Sequence, residues 1–320
     1  MNLIGRFRTL GGGLDHPEGV AWDPAAGVLY AGGEAGQLYR VTLEGAVEQV
    51  ASTGGFLLGI AVADEKVLAC DVAAGAVVAI DPATGSWTTF ADGDGAGDRM
   101  RAPNWLAFDE RGRLYVTDSG DWDRGDGRIW VVEPDGSARV WTDAANRLPN
   151  GCCLSADGEA LLVIETNGPS VSRIPILADA SAGRPELVAE LPGTVPDGIA
   201  LCADESLLVS CQRPDAVYRI APDGAVELLA VDPTGQVLGA PSNVAWAGPE
   251  LDRLVTSNLG RWHLTLADLS DTGLRGVALA HARGGARAGT AVLAGNTGSR
   301  RTGFVKGPIK QKQGPEALHL

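Results

Sequence analysis

Short runs of alternating apolar and polar residues recur along the chain, each followed by an acidic or glycine turn and a second alternating run. Six segments share this form: "PEGVAWDPAAGVLYAG", "LLGIAVADEKVLACD", "PNWLAFDERGRLYVTDS", "PNGCCLSADGEALLVIE", "PDGIALCADESLLVSC" and "PSNVAWAGPELDRLVTSN". A period of two in Val-, Leu-, Ile- and Tyr-rich runs predicts β-strands. Further strand pairs follow, as in "GQLYRVTLEGAVEQVAS" and "DAVYRIAPDGAVELLAV". The intervening "DPATG", "EPDG" and "APDG" are tight-turn sequences. No long run of period 3.6 separates the strands, which argues against a parallel α/β fold.

Equivalent positions in the six segments are Glu18, Leu58, Asn104, Asn150, Asp197 and Asn243, spaced by 40, 46, 46, 47 and 46 residues. Four antiparallel strands with short turns need about that many residues. The period predicts an all-β, six-bladed β-propeller over residues 1–280, with four-stranded blades around a central channel. "IGRFRTL" at the start and "RGVALA" near residue 280 are strand-like, and the two are expected to complete one blade together. Beyond residue 281 the repeat stops. The Gly-rich segment 281–320 carries seven Lys or Arg against Glu316 and is expected to be a disordered tail.

In a propeller the innermost strand of each blade lines the channel. The six equivalent positions should therefore converge on one rim, five bearing oxygen and Leu58 apolar. Taken singly, Asn or Asp before Gly reads as a turn former. Turn chemistry does not ask for Glu18, however, and two carboxylates facing each other across a channel repel unless a cation lies between them. Carboxylates and amide carbonyls are hard oxygen ligands, suited to one divalent cation, Ca²⁺ first, with Mg²⁺, Mn²⁺ or Zn²⁺ as alternatives.

Charge and cysteine usage narrow the class. The formal charge is −14, and without residues 281–320 it is −20. Neither nucleic acid nor an anionic membrane surface is expected as a partner. No window approaches the ~18 apolar residues of a membrane-spanning helix, and the start lacks the apolar core of a signal peptide. Five cysteines without a CxxC pair suggest neither a disulfide framework nor a thiolate zinc site, and they read as small buried hydrophobes. A cytoplasmic protein, monomeric or a small homo-oligomer, is expected.

The motifs "PEGVAWD", "PNWLAFDERGRLYVTD", "PNGCCLSADGEALLV" and "PDGIALCADESLLVS" at blade spacing resemble the senescence marker protein-30/gluconolactonase family, regucalcin-like propellers related to paraoxonase-type lactonases. The resemblance spans about residues 14–280. It implies that Glu18, Asn150 and Asp197 bind the metal, that Asn104 and Arg101 contact substrate, and that Asp197 is the general base. It implies a metal-dependent hydrolase acting on a small-molecule lactone or ester. The chain departs from some members in the segment "TDSGDWDRGDGRI", which has Asp118, Asp121 and Trp122 but no sugar-binding Glu. Of four histidines only His16 lies near a marker, so a paraoxonase-like dyad is not expected, and His16 reads as a loop residue. Trp105, Trp122 and Trp262 are candidate pocket walls or blade packing. No G-x-S-x-G elbow is present, and Ser119 has no expected His partner. The other classes open to this scaffold are a non-catalytic ligand- or protein-binding propeller and a non-hydrolytic, strictosidine-synthase-like enzyme.

Overall fold

The computed structural model describes residues 2–278. These residues form 24 strands and one short 3₁₀ turn, Ile4–Arg6. The strands build six four-stranded antiparallel sheets. The basic segment 281–320, expected to be a tail, lies outside the described residues.

Blade 1 comprises β2 (Val20–Asp23), β3 (Val28–Gly32), β4 (Gln37–Val41) and β5 (Val47–Ser52). Blade 2 comprises β6 (Leu57–Ala63), β7 (Lys66–Asp71), β8 (Ala76–Ile80) and β9 (Trp87–Ala91). Blade 3 comprises β10 (Pro103–Phe108), β11 (Leu114–Asp118), β12 (Arg128–Val132) and β13 (Ala138–Thr142). Blade 4 comprises β14 (Pro149–Leu154), β15 (Ala160–Glu165), β16 (Ser170–Pro175) and β17 (Glu186–Glu190). Blade 5 comprises β18 (Val195–Leu201), β19 (Leu207–Arg213), β20 (Ala216–Ile220) and β21 (Val226–Val231). Blade 6 comprises β22 (Pro241–Ala247), β23 (Arg253–Asn258) and β24 (Leu264–Asp268), with β1 (Phe7–Leu10) from the chain start as its outermost strand.

The innermost strands contact one another in a closed cycle, β2 to β6, β10, β14, β18, β22 and back to β2. The fold is thus the expected six-bladed propeller. Each second strand is sandwiched between neighbouring blades, so β11 and β15 are buried at every position. The outermost strands are more exposed, as β5 and β17 are.

The apolar core is divided into six clusters, one at each blade-to-blade interface. Leu38, Leu57, Val67 and Ile80 lie between blades 1 and 2. Leu68, Met100, Val116 and Trp130 lie between blades 2 and 3. The corresponding clusters continue around the ring to blades 6 and 1, where Leu10, Leu14, Leu29, Val255 and Leu264 meet. All five cysteines are free and buried within this framework.

Closure differs in part from expectation. β1 pairs with β24, from Phe7 opposite Ala267 to Leu10 opposite Leu264. Of the "RGVALA" segment, residues 275–278 are described, and they do not join that blade as a strand. They make one isolated bridge, Gly276 to Cys202, and the Arg275 carbonyl accepts from Ala203. Gly276 lies against the Trp246 side chain, where a Cβ would be 2.2 Å from the indole Cγ.

Candidate cation site and active site

The marker residues do not sit in turns. In blades 2 to 6 the register between the first and second strands shifts at the marker, at Leu57/Ile60, Pro103/Trp105, Pro149/Cys152, Pro196/Ile199 and Pro241/Asn243. In blade 1 the Glu18 N–H donates to the Gly32 carbonyl, and the Gly32 N–H donates to Gly19. Two residues there oppose one, as in a β-bulge. A bulge re-aims a side chain that would otherwise alternate with the pleat. Each inner strand thus carries its marker at an equivalent irregularity of the ladder.

The glycines that follow are explained by close packing. A Cβ on Gly19 would lie 1.9 Å from the Leu58 carbonyl oxygen, and one on Gly151 would lie 2.4 Å from that of Asp197. On Gly59 it would meet Trp105 Cα at 2.7 Å, and on Gly198 it would meet Asn243 Cα at 2.7 Å. None of these four glycines has a positive φ. The Asn-Gly and Asp-Gly pairs are therefore contact points between neighbouring inner strands, and the turn reading of them does not hold.

Hydroxyls on or beside the first two strands of a blade lock neighbouring blades in register. The Thr117 hydroxyl donates to the Asn150 carbonyl at 2.8 Å, and Thr166 donates to the Pro196 carbonyl at 2.8 Å. Ser242 donates to the Glu18 carbonyl at 3.0 Å, and Ser257 donates to the same oxygen. The Asn150 and Glu18 carbonyls, and the carbonyl that precedes Asp197, are thus held by hydroxyls of a neighbouring blade.

The side chains themselves are underpartnered. Glu18 Oε2, Asn104 Oδ1, Asn150 Oδ1, Asp197 Oδ1 and Asn243 Oδ1 are all buried without a hydrogen bond. Leaving one buried acceptor unpaired costs about 1–3 kcal/mol, so five at equivalent positions are a poor design unless something binds them. Burial pushes the Glu18 carboxyl well above its ordinary range, and the nearby Asp197 charge pushes it further. Burial likewise raises Asp197, to about 7, against hydrogen bonds from the amides of Gln212 and Asn150. Two carboxylates and three amide oxygens are a hard donor set that fits a divalent cation. Leu58, the sixth position, packs in the apolar interface between blades 2 and 3.

Sequence reasoning missed two residues. The Gln212 side-chain amide donates to Asp197 Oδ2, leaving Oδ1 unpartnered. The Asn150 amide nitrogen donates to Thr166 Oγ1 at 3.2 Å, which turns Oδ1 away from that contact. Gln212, Thr166 and Ser119 occupy the same register just after or at the end of the second strand, spaced by 46 and 47 residues. That spacing is a signal that could have singled them out.

The remaining predicted residues fall as follows. Arg101 reaches Asp126 with its guanidinium, at 2.7 Å to Oδ2, while its N–H donates to Asp118. Asp118 is fully committed to structure, accepting also from the Ala102 N–H and the Trp130 indole. Ser119 donates to the Pro149 carbonyl at 2.8 Å, so its hydroxyl is structural. His16 pairs with Asp15 at 3.0 Å and Glu34 at 3.3 Å, beside the Trp262 ring. Trp105 is buried in the interface between blades 3 and 4. Trp122 and Trp262 are each 57% exposed, on loops at the end of the molecule where the inner strands begin.

The SMP-30/gluconolactonase/LRE-like family model matches residues 16–258, and the chain belongs to that family. Among curated proteins no sequence matches. Similar solved structures include a gluconolactonase from Xanthomonas campestris, 22% identical with a TM-score of 0.71, covering 82% of this chain and 89% of that one. A calcium-binding regucalcin from Agrobacterium tumefaciens is 20% identical, TM-score 0.67, covering 86% and 98%. A luciferin-regenerating enzyme is 16% identical, TM-score 0.71, covering 86% and 98%. At these identities the structural likeness speaks to the fold. Among the described residues no helix is long and apolar enough to cross a membrane.

Proposed function

We propose that this chain is a divalent-cation-dependent hydrolase that opens a lactone or cleaves an ester. The observation that carries the reading is the ring of buried, unpartnered oxygens containing the mutually repelling Glu18 and Asp197. Family membership supports it, as do the gluconolactonase and calcium-binding relatives.

Glu18, Asn150 and Asp197 would hold the cation, Ca²⁺ first by ligand type. When bound, it supplies positive charge against which a carbonyl oxygen is polarised. Asp197 accepts the proton of a water directed at the carbonyl carbon. Gln212 fixes the carboxylate by occupying Oδ2, so Oδ1 is the oxygen presented to the channel. Thr166 orients the Asn150 amide in the same way. Asn104 offers a buried polar group to orient the substrate. Arg101 acts there only by leaving or sharing its Asp126 partner.

The test is a panel of lactones and aryl esters assayed before and after EDTA treatment. Hydrolysis lost on chelation and restored by Ca²⁺, Mn²⁺, Mg²⁺ or Zn²⁺ is the expected outcome. Absence of turnover on every lactone and ester by metal-loaded protein would overturn the reading in favour of a binding propeller.

A further inference from the structure

We infer that Asn243 is a further protein ligand of the cation, so that the site draws oxygen from blades 1, 4, 5 and 6. The inference rests on the reading of Glu18, Asn150 and Asp197 as a cation site, and it extends that set to a residue on the last inner strand.

The position is dictated by the ring. Asn243 lies on β22, between the strand carrying Asp197 and the segment carrying Glu18. On one side the Asp197–Gly198 backbone abuts it, close enough that a Gly198 Cβ would lie 2.7 Å from Asn243 Cα. On the other side its neighbour Ser242 donates to the Glu18 carbonyl at 3.0 Å. The strands carrying the two carboxylates therefore flank Asn243 around the cycle.

Its chemistry points the same way. Asn243 is 1% exposed and its Oδ1 has no hydrogen-bond partner. Neither packing nor strand geometry requires an amide at this register, since blade 2 carries Leu58 there. An Asn243 amide that only donated to a carboxylate would still leave its carbonyl oxygen orphaned. As a ligand it satisfies that oxygen. It also adds no charge, so the two carboxylates still balance one divalent ion. Four protein oxygens with water filling the remaining positions suit the six to eight oxygens of Ca²⁺. They suit it better than the closed tetrahedron typical of structural zinc.

Terbium(III) binding tests this directly, because its luminescence lifetimes in H₂O and D₂O report the number of water molecules on the ion. The full chain should bind Tb³⁺ in competition with Ca²⁺. In Asn243→Ala the bound ion should gain about one water, and Ca²⁺ affinity should fall at least about tenfold. Asn243→Asp should keep the wild-type water number and bind Tb³⁺ more tightly. Should Asn243→Ala fail to fold, Asn243→Asp decides alone, and binding no tighter than wild type overturns the inference. An Asn243→Ala protein with wild-type water number and affinity also overturns it while leaving the Glu18/Asp197 site standing. A wild-type chain that takes up no Tb³⁺, or a Glu18→Gln variant that binds it unchanged, sinks the site reading and this inference with it.

Discussion

At the scale of single residues, the site depends as much on missing side chains as on present ones. Gly151 lets two inner strands touch, because a Cβ there would press on the Asp197 carbonyl at 2.4 Å. Gly151→Ala should therefore force blades 4 and 5 apart. We expect a stability loss of about 1–3 kcal/mol, the usual cost of overpacking, and weaker Ca²⁺ binding in titration calorimetry. A normal melting temperature with unchanged Ca²⁺ affinity would refute this account of the glycine. Glu18→Gln removes one of the paired carboxylates with little change of shape. The variant should lose the thermal upshift that Ca²⁺ gives the wild type at pH 8. The oxygen-bearing markers were legible in the sequence because they recur at blade spacing. Their bulges were not, since a bulge is a two-strand property and Asn-Gly looks like a turn when one strand is read alone. Gln212 was hidden for a related reason. It lies near the end of a second strand, and its target, Asp197, lies on the paired strand.

At the scale of elements, an acidic or amide side chain at the end of the second strand recurs as a tether for the loop that leads into the inner strand. Asp118 accepts from the Arg101 and Ala102 N–H groups, Glu165 from Arg147, and Asn258 from Gly239. Asp118→Ala would leave those loop donors and the Trp130 indole without their acceptor. We expect a loss of at least about 3 kcal/mol, since each stranded donor costs about 1–3 kcal/mol, measured by urea denaturation. A loss under about 1 kcal/mol would mean that the tether is dispensable. The strands were readable because each blade repeats its own apolar alternation. The closing arrangement was only half readable. "IGRFRTL" carries a strand pattern and forms β1. "RGVALA" carries a similar pattern, but among its described residues only Gly276 pairs, in one isolated bridge to Cys202.

For the whole molecule, stability and pH are linked through the two buried carboxyls. Both have raised proton affinity in the folded, metal-free chain. The folded state therefore binds more protons than the unfolded one above the ordinary carboxylate range, and stability falls as pH rises through that window. With Asp197 at about 7, the fall should extend through neutrality. EDTA-treated protein should melt at lower temperature at pH 8 than at pH 5, and the upshift from added Ca²⁺ should grow over the same interval. A chelated protein equally stable at both pH values would contradict the picture. The pairing of β1 with β24 has a further bearing, on synthesis. Phe7–Leu10 leaves the ribosome early, but its partner Leu264–Asp268 is made some 250 residues later. At about 5–20 residues per second that is roughly 10–50 s. Throughout that interval the first-made strand is an unpaired edge, open to a strand of any neighbouring nascent chain. The ring can be completed only as a late act of folding, because this edge is made long before the strand that covers it.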